Sequence, residues 1–343
     1  MPVPAPSESF VPFSPGKKLW WYLFLLIVLG LGLHFLLPQA AKIEHALKAA
    51  LTLQIPFVAL ALTAQILSYL SSGYLLRCVV RLESKTLSVG EAALITLGAN
   101  SVGTLGGGVP GTAGMTFLWL QNRGVSLGAA GLGGSIPIFL NNAMLAIVSV
   151  PGLLILLLLG KFSGGFAIGF VFAGLILAGG MAAFLWSLSH REKLMKIAMR
   201  IATLVAKLRR RKIDCRATEV AVERMLKTWD AFVEDGWRRP VVGAALDTGF
   251  DMATLGFLFL AAGHGVNPLV LTAGYALPQL LGKLTVILGG VGVVETSMVA
   301  LYRALGVPTQ IAFVVVLVYR LFSFWLPTLI GVALVPYFGR EKS

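Results

Sequence analysis

Leu105-Gly106-Gly107-Gly108-Val109-Pro110-Gly111 interrupts the apolar segment 90–123 near its middle, and Leu288-Gly289-Gly290-Val291-Gly292 interrupts the segment 268–306 in the same way. Neither half of either segment reaches the roughly 20 apolar residues a helix needs to cross a bilayer. Glycine and proline free the backbone from helical hydrogen bonding. At membrane depth such backbone is tolerated only where protein or a water-filled cavity covers it. Two broken segments of this kind predict re-entrant helical hairpins, turning at Gly106, Gly107, Gly108, Gly289, Gly290 and Gly292.

Around the breaks lie long unbroken runs. Residues 19–37, 55–76, 165–188 and 311–335 read plainly as full spans, and 129–159 and 241–262 add two more, the former with breaks expected at Pro137 or Pro151 and the latter despite Asp247 and Asp251. Of the 343 residues, 57% are hydrophobic and 13% charged, with a mean hydropathy of +0.85, which excludes a soluble globular protein. In a membrane chain the net charge of +13 is first a topology signal, so it does not argue for a nucleic-acid partner. Cys78 and Cys215 have no second cysteine or histidine at ligand spacing, so neither a disulfide framework nor zinc is expected.

The two broken segments superpose at a fixed shift. Gly107-Gly108-Val109 falls on Gly289-Gly290-Val291 and Gly124-Val125 on Gly306-Val307, 182 positions apart in both cases (289 − 107, 306 − 124). A constant offset suggests an internal duplication. Residues 189–239 carry 14 of the 28 Lys/Arg and 7 of the 15 acids, and by the charge rule they are cytoplasmic. Leu194, Ile197, Ile201, Leu204 and Leu208 recur there at helical spacing, as expected of an amphipathic helix on the inner face, with Arg209-Arg210-Arg211-Lys212 following.

With Lys17-Lys18, Arg77, Arg81, Lys85, Arg340 and Lys342 also inside, both termini are cytoplasmic and the halves have opposite orientation. The expected architecture is an all-α integral membrane protein of the inner or plasma membrane, with six full transmembrane helices and two re-entrant hairpins in two inverted repeats. Residues 1–18 form a disordered cytoplasmic tail, 19–188 the first repeat with hairpin 90–123, 189–239 a basic linker, and 240–343 the second repeat with hairpin 268–306. In secondary transporters built this way the substrate site lies near the midplane, between the broken elements.

Charges inside apolar segments are costly and point to function. Glu91 and Arg303 belong at the hairpin mouths. Asp247, Asp251, Lys283, Glu295 and Arg320 lie deepest and can form one buried network. Asp247 and Asp251 are four apart and share a helix face. Glu295 sits near the start of a half-helix, where a carboxylate caps backbone N–H groups, pairs with an arginine, or shares the dipole end with a bound anion. Arg320, about nine residues into its span, and Lys283 are candidate partners for an anionic lipid headgroup. The two aspartates are counter-ions for these cations or proton carriers in ion-coupled transport. Asn100, just before the first glycine break, adds hydrogen-bonding capacity, as do Asn141 and Asn142.

Gly289-Gly290-Val291-Gly292-Val293-Val294-Glu295, Leu305-Gly306-Val307-Pro308, Tyr319-Arg320-Leu321 and Trp325-Leu326-Pro327 together resemble the C-terminal signature of the lysylphosphatidylglycerol synthase/flippase transmembrane family, the membrane half of the multiple peptide resistance factor. Asn100 with its glycine break, and Arg123-Gly124-Val125-Ser126, resemble that family's first-half motif. The likeness covers nearly the whole chain. It implies a polytopic protein that moves or binds lipids, with Glu295 and Arg320 in its core. About eight residues follow the last span, so a stand-alone member without the synthase domain is expected. The leading expectation is therefore a lipid flippase with membrane lipids as partners and no cofactor, the second an ion-coupled transporter of a small solute. A lipid-carrier glycosyltransferase would present acids on an outward loop, where the first such loop offers only Glu44. A homo-oligomer stays open.

Overall fold

A computed structural model describes residues 51–83, 87–160, 164–190, 195–196, 199–200, 215–284 and 290–338, and every regular element among them is helical. The tail 1–18, the span 19–37, most of the amphipathic run 194–208, the cluster at 209–212 and Gly289 lie outside the described residues. The helices are α1 (Ile55–Val80), α2 (Val89–Val102), α3 (Gly108–Asn122), α4 (Leu127–Leu158), α5 (Gly164–Ser189), α6 (Cys215–Ala231), α7 (Arg238–Ala261), α8 (Pro268–Leu284), α9 (Val293–Ala304), α10 (Thr309–Arg320) and α11 (Leu326–Phe338). α1, α4, Ile168–Ser187 within α5, α7 and the continuous stretch Thr309–Phe338 are each long and apolar enough to cross a membrane.

Local sequence explains the starts. Pro56 sits in the first turn of α1, where its missing N–H is no loss. Ser88 and Ser126 cap α2 and α4, each hydroxyl accepting from the backbone N–H three residues on, at 3.1 and 3.2 Å. α4 runs unbroken through Pro137 and Pro151, against the expected interruption. Each proline removes one backbone hydrogen bond and crowds the carbonyl four residues back. Close packing on both sides holds the helix through these points: a Cβ on Gly134 would stand 2.7 Å from the Ala113 carbonyl oxygen, and one on Gly152 2.8 Å from the Ala273 Cα.

The element order recurs at the 182 shift. α1 maps onto α7, α2 onto α8, α3 onto α9, and α4 onto α10 and α11 together. The turning glycines follow: Gly108 (φ 54°) and Gly290 (φ 66°) are equivalent, as are Gly124 (φ 68°) and Gly306 (φ 94°). Only glycine adopts such angles without strain, so these four residues fix where each half turns. α1 and α7 pack along each other at the centre. Gly243 lets the Leu75 backbone approach to where a Cβ would be 3.0 Å away, and its counterpart Ala61 is fully buried, its carbonyl accepting from Thr254 Oγ1 at 3.3 Å.

The halves differ in one respect that the sequence pattern does not announce. Where α4 is regular, the equivalent stretch in the second half passes through a π-helical turn, Leu321–Trp325, between α10 and α11. There the Leu326 N–H bonds to the Leu321 carbonyl, five residues back, leaving the Phe322 carbonyl outside the helical ladder. The Tyr69 hydroxyl of α1 donates to that carbonyl at 2.5 Å. A second π-helical turn, Gly103–Gly107, ends α2, and Gly108 then reverses the chain into α3.

Candidate functional site

α1 carries Gln65, Ser68, Tyr69 and Ser72, spaced three, four and seven residues apart and hence on one face. α7 turns Asp247 and Asp251 toward the same place. Together with Thr96, Asn100, Ser101 and Thr104 from α2 and its π turn, Asn141 from α4, and Ser323 and Thr328 beyond α10, they line a cavity of about 200 Å³. Asp247 is the tenth residue of the 24-residue α7, so the cavity lies about 15 Å from that helix's start, at mid-helix depth.

Hydrogen bonds fix the carboxylates. Ser68 Oγ donates to Asp247 Oδ1 at 2.7 Å and Asn141 Nδ2 to Asp247 Oδ2 at 3.1 Å. Tyr275 and Tyr319 hydroxyls both donate to Asp251 Oδ2, at 2.8 and 2.9 Å, and Gln279 Nε2 donates to the Tyr319 hydroxyl at 3.2 Å. Three acceptor oxygens remain without a hydrogen bond: Gln65 Oε1, Asn141 Oδ1 and Asp251 Oδ1. All three residues line the cavity.

A second charged cluster sits beside it. Glu295 is the third residue of α9; its Oε2 accepts the Gly292 N–H at 2.6 Å and its Oε1 accepts Arg320 Nε at 2.7 Å. It thus caps the half-helix and pairs with the arginine at once, the two structural roles its position allowed. Arg320 is 5% exposed and its guanidinium lies 4.0 Å from the Phe324 ring centroid. Phe324 lines the cavity, whereas Glu295, Arg320 and Lys283 do not. Lys283 is exposed near the end of α8 and forms no ion pair among the described residues. Glu91 pairs with Arg123, which stands over the Phe338 ring, and Arg303 is exposed.

Of the residues singled out from sequence, Asn100, Asn141, Asp247 and Asp251 therefore share one cavity, and Glu295 with Arg320 forms a mostly buried pair beside it. Among the described residues, none of those lining the cavity comes from α8 or α9, whereas α2 and its π turn contribute several. Tyr275 and Gln279 of α8, with Tyr319, close the opposite side against Asp251. Gly108, Gly290 and Gly292 turn the backbone at positive φ and are not among the lining residues, and Gly106 and Gly107 lie in the π turn that ends α2. Sequence reasoning passed over Gln65, Ser68, Tyr69 and Ser72, yet the repeat shift finds two of them. Gln65 is equivalent to Asp247 and Tyr69 to Asp251 (247 − 65, 251 − 69), and Asn141 to Ser323. The cavity is thus lined by matching positions of both halves.

No group of three His, Cys, Asp or Glu side chains among the described residues could hold a metal ion. The family model of the lysylphosphatidylglycerol synthase TM region matches residues 19–331. Curated relatives include a UPF0104 membrane protein of Methanothermobacter thermautotrophicus, 35% identical over 86 residues, and another of Methanocaldococcus jannaschii, 33% identical over 92 residues. A third, from Pyrococcus horikoshii, is 36% identical over 87 residues. The matched stretches cover 25 to 27% of this chain, and the chain spans about a quarter of the length of the curated relatives it matches. From the match across residues 19–331 and its long apolar helices, this chain belongs to the lysylphosphatidylglycerol synthase transmembrane-region family and is a multi-pass membrane protein.

Proposed function

We propose that the protein is a lipid transporter, moving the headgroup of a phospholipid, glycolipid or isoprenoid-phosphate lipid between leaflets through the polar cavity while the acyl chains stay against the apolar helices. In this reading it has six full spans with both termini cytoplasmic, in a cell membrane, and α2–α3 and α8–α9 are re-entrant hairpins of two inverted repeats. The observation that carries the reading is a cavity walled by hydroxyls, amides and two carboxylates at the mid-depth of helices that are otherwise apolar. A headgroup carried through hydrocarbon loses its hydrogen bonds to water at several kcal/mol for each polar group, and such a wall restores them. Rocking of one repeat against the other exposes the site to each leaflet in turn.

The test is reconstitution in liposomes with labelled phospholipids and isoprenoid phosphates. Accelerated translocation of at least one is expected, and a cavity-blocking Thr104→Phe variant should return the rate to that of protein-free vesicles. No acceleration across the panel would sink the proposal. One observation favours a second reading, an ion-coupled transporter of a small solute: about 200 Å³ is below the roughly 300–1,000 Å³ usual for drug-sized ligands. Uptake of a water-soluble substrate driven by an ion gradient, with no lipid movement, distinguishes it.

A further inference from the structure

The electrostatics of the cavity are incomplete. Asp247, Asp251 and Glu295 are three carboxylates within apolar helices, and Arg320 beside them forms its ion pair with Glu295. Neither aspartate has an ion-pair partner among the described residues. Buried charge is normally paired, because an isolated ion loses far more solvation energy than hydrogen bonds alone return.

The open acceptors point the same way. Gln65 is 2% exposed, and its Oε1, Asn141 Oδ1 and Asp251 Oδ1 face the same cavity with no donor against them. The orientation of Asn141 follows from its Nδ2 donating to the Asp247 carboxylate, which leaves its oxygen as the free end. Two amide oxygens and a carboxylate oxygen, with a second carboxylate alongside, are the ligand chemistry of a hard cation. A proton supplies a single O–H donor and answers one acceptor of the three. The absence, among the described residues, of any cluster of three acids argues against a divalent ion.

We propose that Gln65, Asn141, Asp247 and Asp251 bind a sodium ion in the cavity. Because Gln65 and Asp247 occupy equivalent positions of the two halves, the ion sits where α1 meets α7, at the junction about which the repeats exchange. It also eases a difficulty of charge: an anionic headgroup entering a cavity with two carboxylates is repelled, and one bound cation offsets one of those two charges. Coupling of sodium to lipid movement rests on the transporter reading above, whereas the ion site does not.

The experiment uses the full chain in nanodiscs, with thermal unfolding and radiolabelled sodium binding measured at constant pH and ionic strength in sodium, potassium, choline, methylammonium and calcium chlorides. Sodium should raise the melting temperature saturably by several degrees, and bind at one site per chain. Asp251→Asn should unfold no earlier than wild type without sodium and lose the response. Gln65→Leu, which removes a neutral acceptor and keeps shape, should weaken sodium binding at least tenfold, while Arg303→Ala at the exposed end of α9 should leave it unchanged. A stabilisation by calcium or methylammonium in place of sodium, a response to pH alone, or a full sodium response in both site variants would each overturn the site. In liposomes a sodium gradient should change the initial lipid rate severalfold in wild type and not in Asp251→Asn. Sodium binding without lipid movement would leave the site standing and overturn the transporter reading.

Discussion

α2 and α8 occupy equivalent places in the two halves, yet α2 lines an open cavity while the described residues of α8 do not. Where α2 carries Ala93 and Leu97, α8 carries Tyr275 and Gln279, each pair 182 positions apart. The tyrosine hydroxyl reaches Asp251 and the glutamine reaches Tyr319, so at these positions α8 sends long side chains into hydrogen bonds with its neighbours where α2 presents Ala93 and Leu97 to the cavity. Behind them Glu295 and Arg320 close the second hairpin with a charge pair, and Tyr302 seals its interior with a fully buried ring. The backbone plan is shared. The bulk and reach of a few side chains distinguish the two sides.

The sharpest way to break this contrast is to unseal the closed side. Arg320→Ala strands the mostly buried Glu295 carboxylate, 15% exposed, and should cost about 3 kcal/mol of stability, read as a fall in melting temperature in detergent. Glu295→Leu combined with Arg320→Met should recover most of that loss. Gly274→Ala comes next. Its Cβ would meet the Tyr302 ring at 2.2 Å, and overpacking of a fully buried ring should cost about 1–3 kcal/mol in the same assay. On the open side, Tyr69→Phe removes the donor to the Phe322 carbonyl and should destabilise by about 1 kcal/mol, with faster amide exchange localised to 321–326. Lys283→Ala, at an exposed position outside both clusters, should change stability by under about 0.5 kcal/mol. A larger effect at Lys283 than at Gly274 would show that the closed side is held by something other than its packed interior.

Five of the six expected spans were legible because runs such as 55–76 and 165–188 carry their signal in composition, and bilayer thickness turns composition into length. Asp247 and Asp251 were legible because charge in an apolar run is rare. Gln65, Ser68, Tyr69 and Ser72 were not, since neutral polar residues are common in membrane helices and say nothing singly. Only the repeat shift lifts them out. The π-helical turn at Leu321–Trp325 was equally silent, because its displaced carbonyl is stabilised by a tyrosine 253 positions away, a tertiary contact with no local trace. Pro137 and Pro151 misled for the same reason: neighbouring helices carried α4 through positions that would interrupt an isolated one.

The equivalence of Gln65 with Asp247 and of Tyr69 with Asp251 bears on why two halves share one chain. Two identical copies of either half, meeting about a symmetry axis, would bring four carboxylates together or none at all. The first crowd would repel itself, and the second would have no charge with which to recognise anything. Joining the copies lets them specialise, one as the anionic half and the other as its neutral complement. A site with an odd division of labour is therefore available to a fused pair and closed to a symmetric dimer.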